Sequence, residues 1–154
     1  MRCLRFFTLL SIHFKYMKIK VSESMKEVTQ PEGIYKLLGG YFRNQDGIDR
    51  KKEHFFVIHL DARNRVRFLE LVSIGILNAS LVHPREVFCR AVRECSSQII
   101  LAHNHPSGDV EPSHEDIATT KRLEQAGDIL GIKVVDHIIY ARGKFCSFKE
   151  QGIL

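Results

Sequence analysis

Apolar residues along this chain recur with two different periods, and the alternation between them predicts an α/β fold. The runs at residues 55–60 and 65–74 are strand-like. Asp61-Ala62-Arg63-Asn64 between them has the composition of a turn, so the two runs are expected to form a hairpin. Pro84 suits the first position of a helix, where its missing N–H costs nothing, and Val87, Phe88, Ala91, Val92 and Cys95 then share one helical face. Residues 98–102 read as a short buried strand, and a polar loop runs from His103 to Pro112. Ser113 opens a second helix, with Ile117, Thr120, Leu123 and Leu130 near one face and Gly131 closing it. Residues 133–135 and 138–140 are strand-like, as two strands or one interrupted strand, and Gly143 makes the last turn.

Order is expected to begin at Glu53. Residues 23–52 read as an N-terminal extension or linker carrying one weakly apolar patch at 34–38, ended as a short helix by Gly39-Gly40. Residues 1–22 read as a leader, disordered or mis-started. Arg2 and Arg5 precede a short apolar stretch at 6–12, like the front of a secretory signal, but basic residues follow it and no small-residue cleavage site appears. The stretch is far too short to span a bilayer. An early start codon is the expected reading, with Met17 and Met25 as alternatives, and the protein is expected in the cytoplasm, away from membranes.

At 154 residues, with 44% hydrophobic and 27% charged positions, the chain has the length and composition of one globular domain. A chain this long buries enough surface to hold a core without disulfides. Its four cysteines are scattered with no C-x-x-C pair, which removes zinc ribbons and thioredoxin-like motifs and fits reduced thiols. The net charge of +5 is unevenly placed. Residues 1–52 hold 11 Lys/Arg against 5 Asp/Glu, and the remainder holds 12 against 13. The basic excess therefore sits in the first third, and any binding of DNA is expected to be weak and carried by residues 1–52.

The chemistry concentrates between Leu101 and Asp116. His103 and His105 stand two apart at the end of a strand, so both imidazoles point to one face and can reach one metal ion. Pro106 removes a ladder donor and ends the strand. Ser113 and Asp116 have the S-x-x-D spacing of a helix cap, which fixes Asp116 in the first helical turn, where it could face the histidines. Two histidines and one carboxylate leave the fourth tetrahedral position of zinc open, as a hydrolytic site requires. The competing reading of the same letters is a solvated, histidine-rich loop.

His103-Asn-His105-Pro, six residues, then Ser113-x-x-Asp116 resembles the JAMM zinc motif of MPN/JAB-domain metalloproteases without a gap. Val82-His-Pro-Arg-Glu-Val87, Ile99-Ile-Leu-Ala-His-Asn-His-Pro-Ser-Gly108, Asp136-His-Ile-Ile139 and the ending Ser147-Phe-Lys-Glu-Gln-Gly-Ile-Leu154 are similar to the RadC branch of that superfamily. The resemblance covers residues 53–154. It implies an α-β-α sandwich of the cytidine-deaminase-like kind, with a mixed, curved sheet flanked by helices. It also implies Zn²⁺ on His103, His105 and Asp116, with Ser113 hydrogen-bonding the oxyanion of a tetrahedral intermediate. A glutamate on an earlier strand would be the general base. The JAMM pattern points to Glu53, with Glu70 and Glu86 competing. The implied activity is zinc-dependent hydrolysis of a peptide or isopeptide bond. A DNA-repair-associated role, which the RadC branch suggests by name, and a non-catalytic MPN scaffold are the alternatives.

Other residues are read more plainly. Asp136-His137 is expected to be a strand-edge pair bonding backbone, with support of a metal histidine as the alternative. Ser107 belongs to a turn, and Cys89 and Cys95 are small core residues. His114 is an exposed first-turn residue, and His54 and His59 lie on the strand surface. His83 precedes a helix start.

Overall fold

The computed structural model describes residues 17–20, 30–75 and 82–154. A six-stranded sheet forms its centre. In chain order the strands are β1 (Met17–Lys20), β2 (Glu53–Leu60), β3 (Val66–Gly75), β4 (Gln98–Asn104), β5 (Lys133–Ala141) and β6 (Lys144–Ser147). Across the sheet they run β1-β3-β2-β4-β5-β6. All neighbours are antiparallel except β4 and β5, which are parallel and joined through a helix. The helices are α1 (Pro31–Arg43), α2 (Pro84–Arg93) and α3 (His114–Leu130).

The two central strands are buried on both faces, so their sequences are near-continuous apolar runs rather than alternating ones. One face packs against α1: Ile34, Leu38 and Phe42 meet Phe56, Ile58, Ile100, Ala102 and Ile138. The other packs against α2 and α3, where Val87, Phe88, Ala91 and Leu123 meet Phe55, Val57, Ile99, Leu101 and Val134. The layers are therefore α-β-α around a mixed sheet, the architecture that the resemblance implied. Gly127 lets α3 come close to the strand that follows it. A Cβ there would stand 2.4 Å from the Ile132 carbonyl oxygen and 3.2 Å from the Phe88 ring.

Several local expectations differ from what forms. Order does not begin at Glu53, because α1 is one of the three layers. It continues through Gly39 and Gly40 to Arg43. Two interior glycines cost about 1 kcal/mol each, and burial of Leu38 and Phe42 on the sheet offsets that. Met17–Lys20, inside the expected leader, forms an edge strand on β3; the rest of residues 1–22 lies outside the described residues. Strand β4 extends through His103 to Asn104, and β5 is one strand from Lys133 to Ala141, its ladder with β4 passing through a bulge at Val135. On α2 the buried stripe is Val87, Phe88 and Ala91; Val92 points to solvent. Cys89 and Cys95 are exposed rather than core residues, Cys95 lying past the helix end in a left-handed turn with φ 52°.

His54 and His59 are buried, not on the surface. His54 lies edge-on to Tyr41 and Phe42 of α1. His59 faces α2, between Ser96 Oγ at 2.9 Å and Glu70 Oε2 at 3.0 Å, and Arg90 Nε of α2 stands 2.9 Å from Glu70 Oε1. Both helices cover β2, so no face of this strand is left for a surface histidine.

Candidate metal centre

His103 occupies β4 on the face shared with Leu101, directly across from Phe55 of β2, and the two rings stack 6.3 Å apart. His105 lies just past the strand end. Its backbone N–H donates to the Tyr140 carbonyl at 3.1 Å, which keeps the segment beside β5 after Pro106 has ended the ladder. Asp116 comes from the other direction, in the first turn of α3. There Ser113 and Asp116 form a capping box: Ser113 Oγ accepts the Asp116 N–H at 3.1 Å, and the Ser113 N–H donates back to Asp116 Oδ2 at 2.9 Å.

These three elements bring His103 Nε2 within 2.9 Å of His105 Nε2 and 3.2 Å of Asp116 Oδ1, with His105 Nε2 3.5 Å from Asp116 Oδ2. One ligand atom of each lies within 4.8 Å of the others, a set that could hold one metal ion.

The surrounding hydrogen bonds leave a donor set that fits a cation. The single hydroxyl proton of Thr120 goes to the Asp116 carbonyl at 2.7 Å, so its oxygen can only accept from His137 Nδ1, 2.6 Å away. His137 is fully buried, and burial followed by the nearby His103 holds its ring well below the ordinary histidine value, hence neutral. Its Nε2 is then bare and accepts from His103 Nδ1–H at 2.8 Å. With its Nδ1–H committed to His137, His103 turns its Nε2 to the centre. His105 Nδ1 faces the Asp109 carbonyl at 3.0 Å, which only accepts, so its Nε2 is the nitrogen left for the centre. Two imidazole Nε2 atoms 2.9 Å apart beside a carboxylate call for a cation or a proton between them. His105 is accordingly raised above its ordinary value, first by its hydrogen bond to Asp116. Burial pushes the Asp116 carboxyl up, but the facing His103 and His105 rings and the Ser113 hydroxyl outweigh it and hold it well below the usual carboxylate range.

Glu53 begins β2, half-buried, and lines the same cavity of about 310 Å³ as Phe55, His103, His105, Ser113 and Asp116. Its charge is felt at His105. The two glutamates that competed with Glu53 stand elsewhere: Glu70 is buried against His59 and Arg90, and Glu86 belongs to α2 and is not among the cavity residues, whereas Glu115, in the first turn of α3, lines the cavity. The Ser113 hydroxyl donates to Asp116 Oδ2 at 2.7 Å. Ser107 Oγ accepts the Asp109 N–H at 3.3 Å in its turn, and His114 is exposed. His83 is the α2 N-cap and stays out of the cavity.

Asp136 and His137 do different jobs. Asp136 binds the backbone N–H groups of His137 and Lys149 and the Ser147 hydroxyl. His137 turns to the centre, not to backbone, because its place on β5 puts it beside His103. Thr120 is a second functional candidate, hidden in the sequence as one more position on a helix face. Its signal is the spacing of one helical turn from Asp116.

The chain is 51% identical to a UPF0758 protein of Geobacter sulfurreducens over 126 residues, which is 82% of this chain and 53% of that protein. It is 48% identical to a UPF0758 protein of Geotalea uraniireducens over 132 residues, 86% of this chain and 56% of the other. It is 45% identical to one of Methanosarcina mazei over 134 residues, 87% and 56% respectively. The chain thus spans just over half the length of these curated relatives. The family description "RadC-like JAB domain" matches residues 28–153, which takes in α1 and every element named after it. The chain belongs to the RadC-like JAB domain family.

Proposed function

We propose that this protein is a zinc-dependent hydrolase that cleaves a peptide or isopeptide bond. The observation that carries the reading is the convergence of two imidazole Nε2 atoms and a carboxylate on one point, beside Glu53, in an open cavity. His103, His105 and Asp116 would hold the ion. Bound there, Zn²⁺ supplies a Lewis acid and lowers the pKa of a coordinated water toward 7.

The chain's own residues do the rest. Glu53 takes a proton from the attacking water as oxygen adds to the scissile carbonyl carbon. It then gives that proton to the leaving nitrogen as the C–N bond breaks, so base and acid are one carboxyl group. Ser113 donates its hydroxyl to the developing oxyanion. That requires it to release Asp116 Oδ2, which its backbone N–H continues to hold. Phe55 and Val82 supply apolar wall to the cavity, where charge stabilisation is stronger than in open water.

The test is zinc-loaded full chain against a panel of peptides and lysine-ε-linked isopeptides, with Glu53→Gln alongside. The mutant should retain zinc while cleavage falls roughly 10²–10⁴-fold. Full activity of Glu53→Gln removes the proton-transfer account. Zinc binding with no cleavage of any amide by the wild type leaves a metal-bound scaffold instead.

A further inference from the structure

Asn104 stands between the two histidines in sequence, yet strand alternation sends its side chain to the opposite face of β4. It is 4% exposed. Its carboxamide bonds the backbone at the start of β2. Oδ1 accepts the His54 N–H at 2.7 Å, and Nδ2 donates to the Lys52 carbonyl at 3.0 Å. The orientation of the amide is unambiguous, since a backbone N–H only donates and a carbonyl only accepts. The two groups held in this way lie on either side of one residue, Glu53.

The ladder explains the arrangement. Backbone pairing of β2 with β4 stops at Phe55 opposite His103. Beyond that point the chain needs a donor and an acceptor to carry β2 further, and an asparagine side chain reproduces a peptide group's pair. Lys52 O also meets His54 Nδ1 at 3.0 Å, so the carbonyl just before Glu53 is held twice.

We infer that Asn104 is a positioning residue for Glu53: by clamping the Lys52 carbonyl and the His54 N–H, it sets where the Glu53 carboxylate stands over the His103–His105–Asp116 cluster. The inference rests on the reading of Glu53 as the proton acceptor at that cluster. It gives the middle letter of His103-Asn104-His105 a purpose. The histidines on one face of β4 would hold the ion, and the asparagine on the other face ties in the strand that carries the base.

The experiment uses full chain loaded with Co²⁺. Its d–d absorption is followed from about pH 5 to about pH 9, the range in which a histidine centre changes protonation, for wild type, Glu53→Gln, Asn104→Ala and Asn104→Asp. Asn104→Ala should bind Co²⁺ within about threefold of wild type, against the roughly 10–100-fold loss seen when a ligand's own hydrogen-bond partner is removed. Its pH midpoint should move in the direction of Glu53→Gln and cover most of that displacement. Asn104→Asp, which keeps an acceptor for His54 and loses the donor to Lys52, should move it less and the same way. It also carries the test if the alanine variant does not fold. A wild-type midpoint in the Asn104 variants, with Glu53→Gln displaced, overturns the positioning role and leaves the Glu53 reading standing. An undisplaced Glu53→Gln overturns both.

Discussion

His137 Nε2 lies 2.8 Å from His103 Nδ1, and Thr120 closes the far side of the same ring at 2.6 Å. Because Thr120 commits its proton to the Asp116 carbonyl, this chain of bonds starts and ends on candidate ligands: it leaves α3 at Asp116 and returns through β5 to His103. The tautomer of His103 and the position of the α3 N-terminus are thereby set by one buried hydrogen-bond path.

Thr120→Val removes the acceptor for His137 Nδ1–H while keeping the side chain's size. Zinc affinity, measured by competition with a chromogenic chelator, should fall roughly 10–100-fold, whereas Thr120→Ser should bind near wild type. Equal affinity in the valine variant would show that His103 needs no such support.

His103→Ala and His105→Ala should each leave two ligands and strip the ion from purified protein. Elemental analysis reads this directly. Full zinc occupancy in the double variant would place the metal elsewhere.

Glu70 is expected to matter for stability and not for the metal. It is 1% exposed and meets both His59 and Arg90. Glu70→Ala leaves those partners unpaired and should destabilise the fold by about 3–5 kcal/mol with unchanged zinc stoichiometry. Urea unfolding alongside metal analysis separates the two effects. Loss of zinc without loss of stability would reinstate Glu70 as a site residue.

Metal-free protein should be most stable near neutral pH. Burial lowers the folded-state values of His54, His59 and His137 below 6.5. Below pH 6.5 the unfolded chain takes up protons there that the folded chain refuses. Stability then falls by up to about 1.4 kcal/mol per pH unit for each such proton. His105 has the opposite sign. Its hydrogen bond to Asp116 raises its folded-state value, so its stabilisation is complete below 6.5 and is lost as pH climbs through that raised value. Urea midpoints in chelator across this range should trace a maximum. A profile flat from pH 7 down to pH 5 would mean that the buried histidines protonate in the folded state.

Along the chain, the alternation of strand-like and helix-like runs was sufficient for the sheet and the two helices on one of its faces, because each element's apolar period is a local property of consecutive residues; the third layer, α1, was not read from it. The same holds for the Ser113–Asp116 cap, whose partners are three residues apart. The parity of His103 and His105 also belongs to the letters alone, since strand alternation needs no knowledge of neighbours. What the letters could not carry is anything decided by packing across strands. His54 and His59 look like surface residues until helices on both faces of β2 bury them. Gly39-Gly40 looks like a stop until Leu38 and Phe42 find the sheet and carry α1 past it. His137 and Thr120 enter the centre only because β5 lies parallel to β4 with His137 beside Leu101, one step from His103, and because α3 turns Thr120 toward them. Asn104 likewise reads as a spacer between two histidines. Only the end of the β2–β4 ladder leaves a donor and an acceptor around Glu53 for its side chain to take, and that vacancy is a property of the assembled sheet.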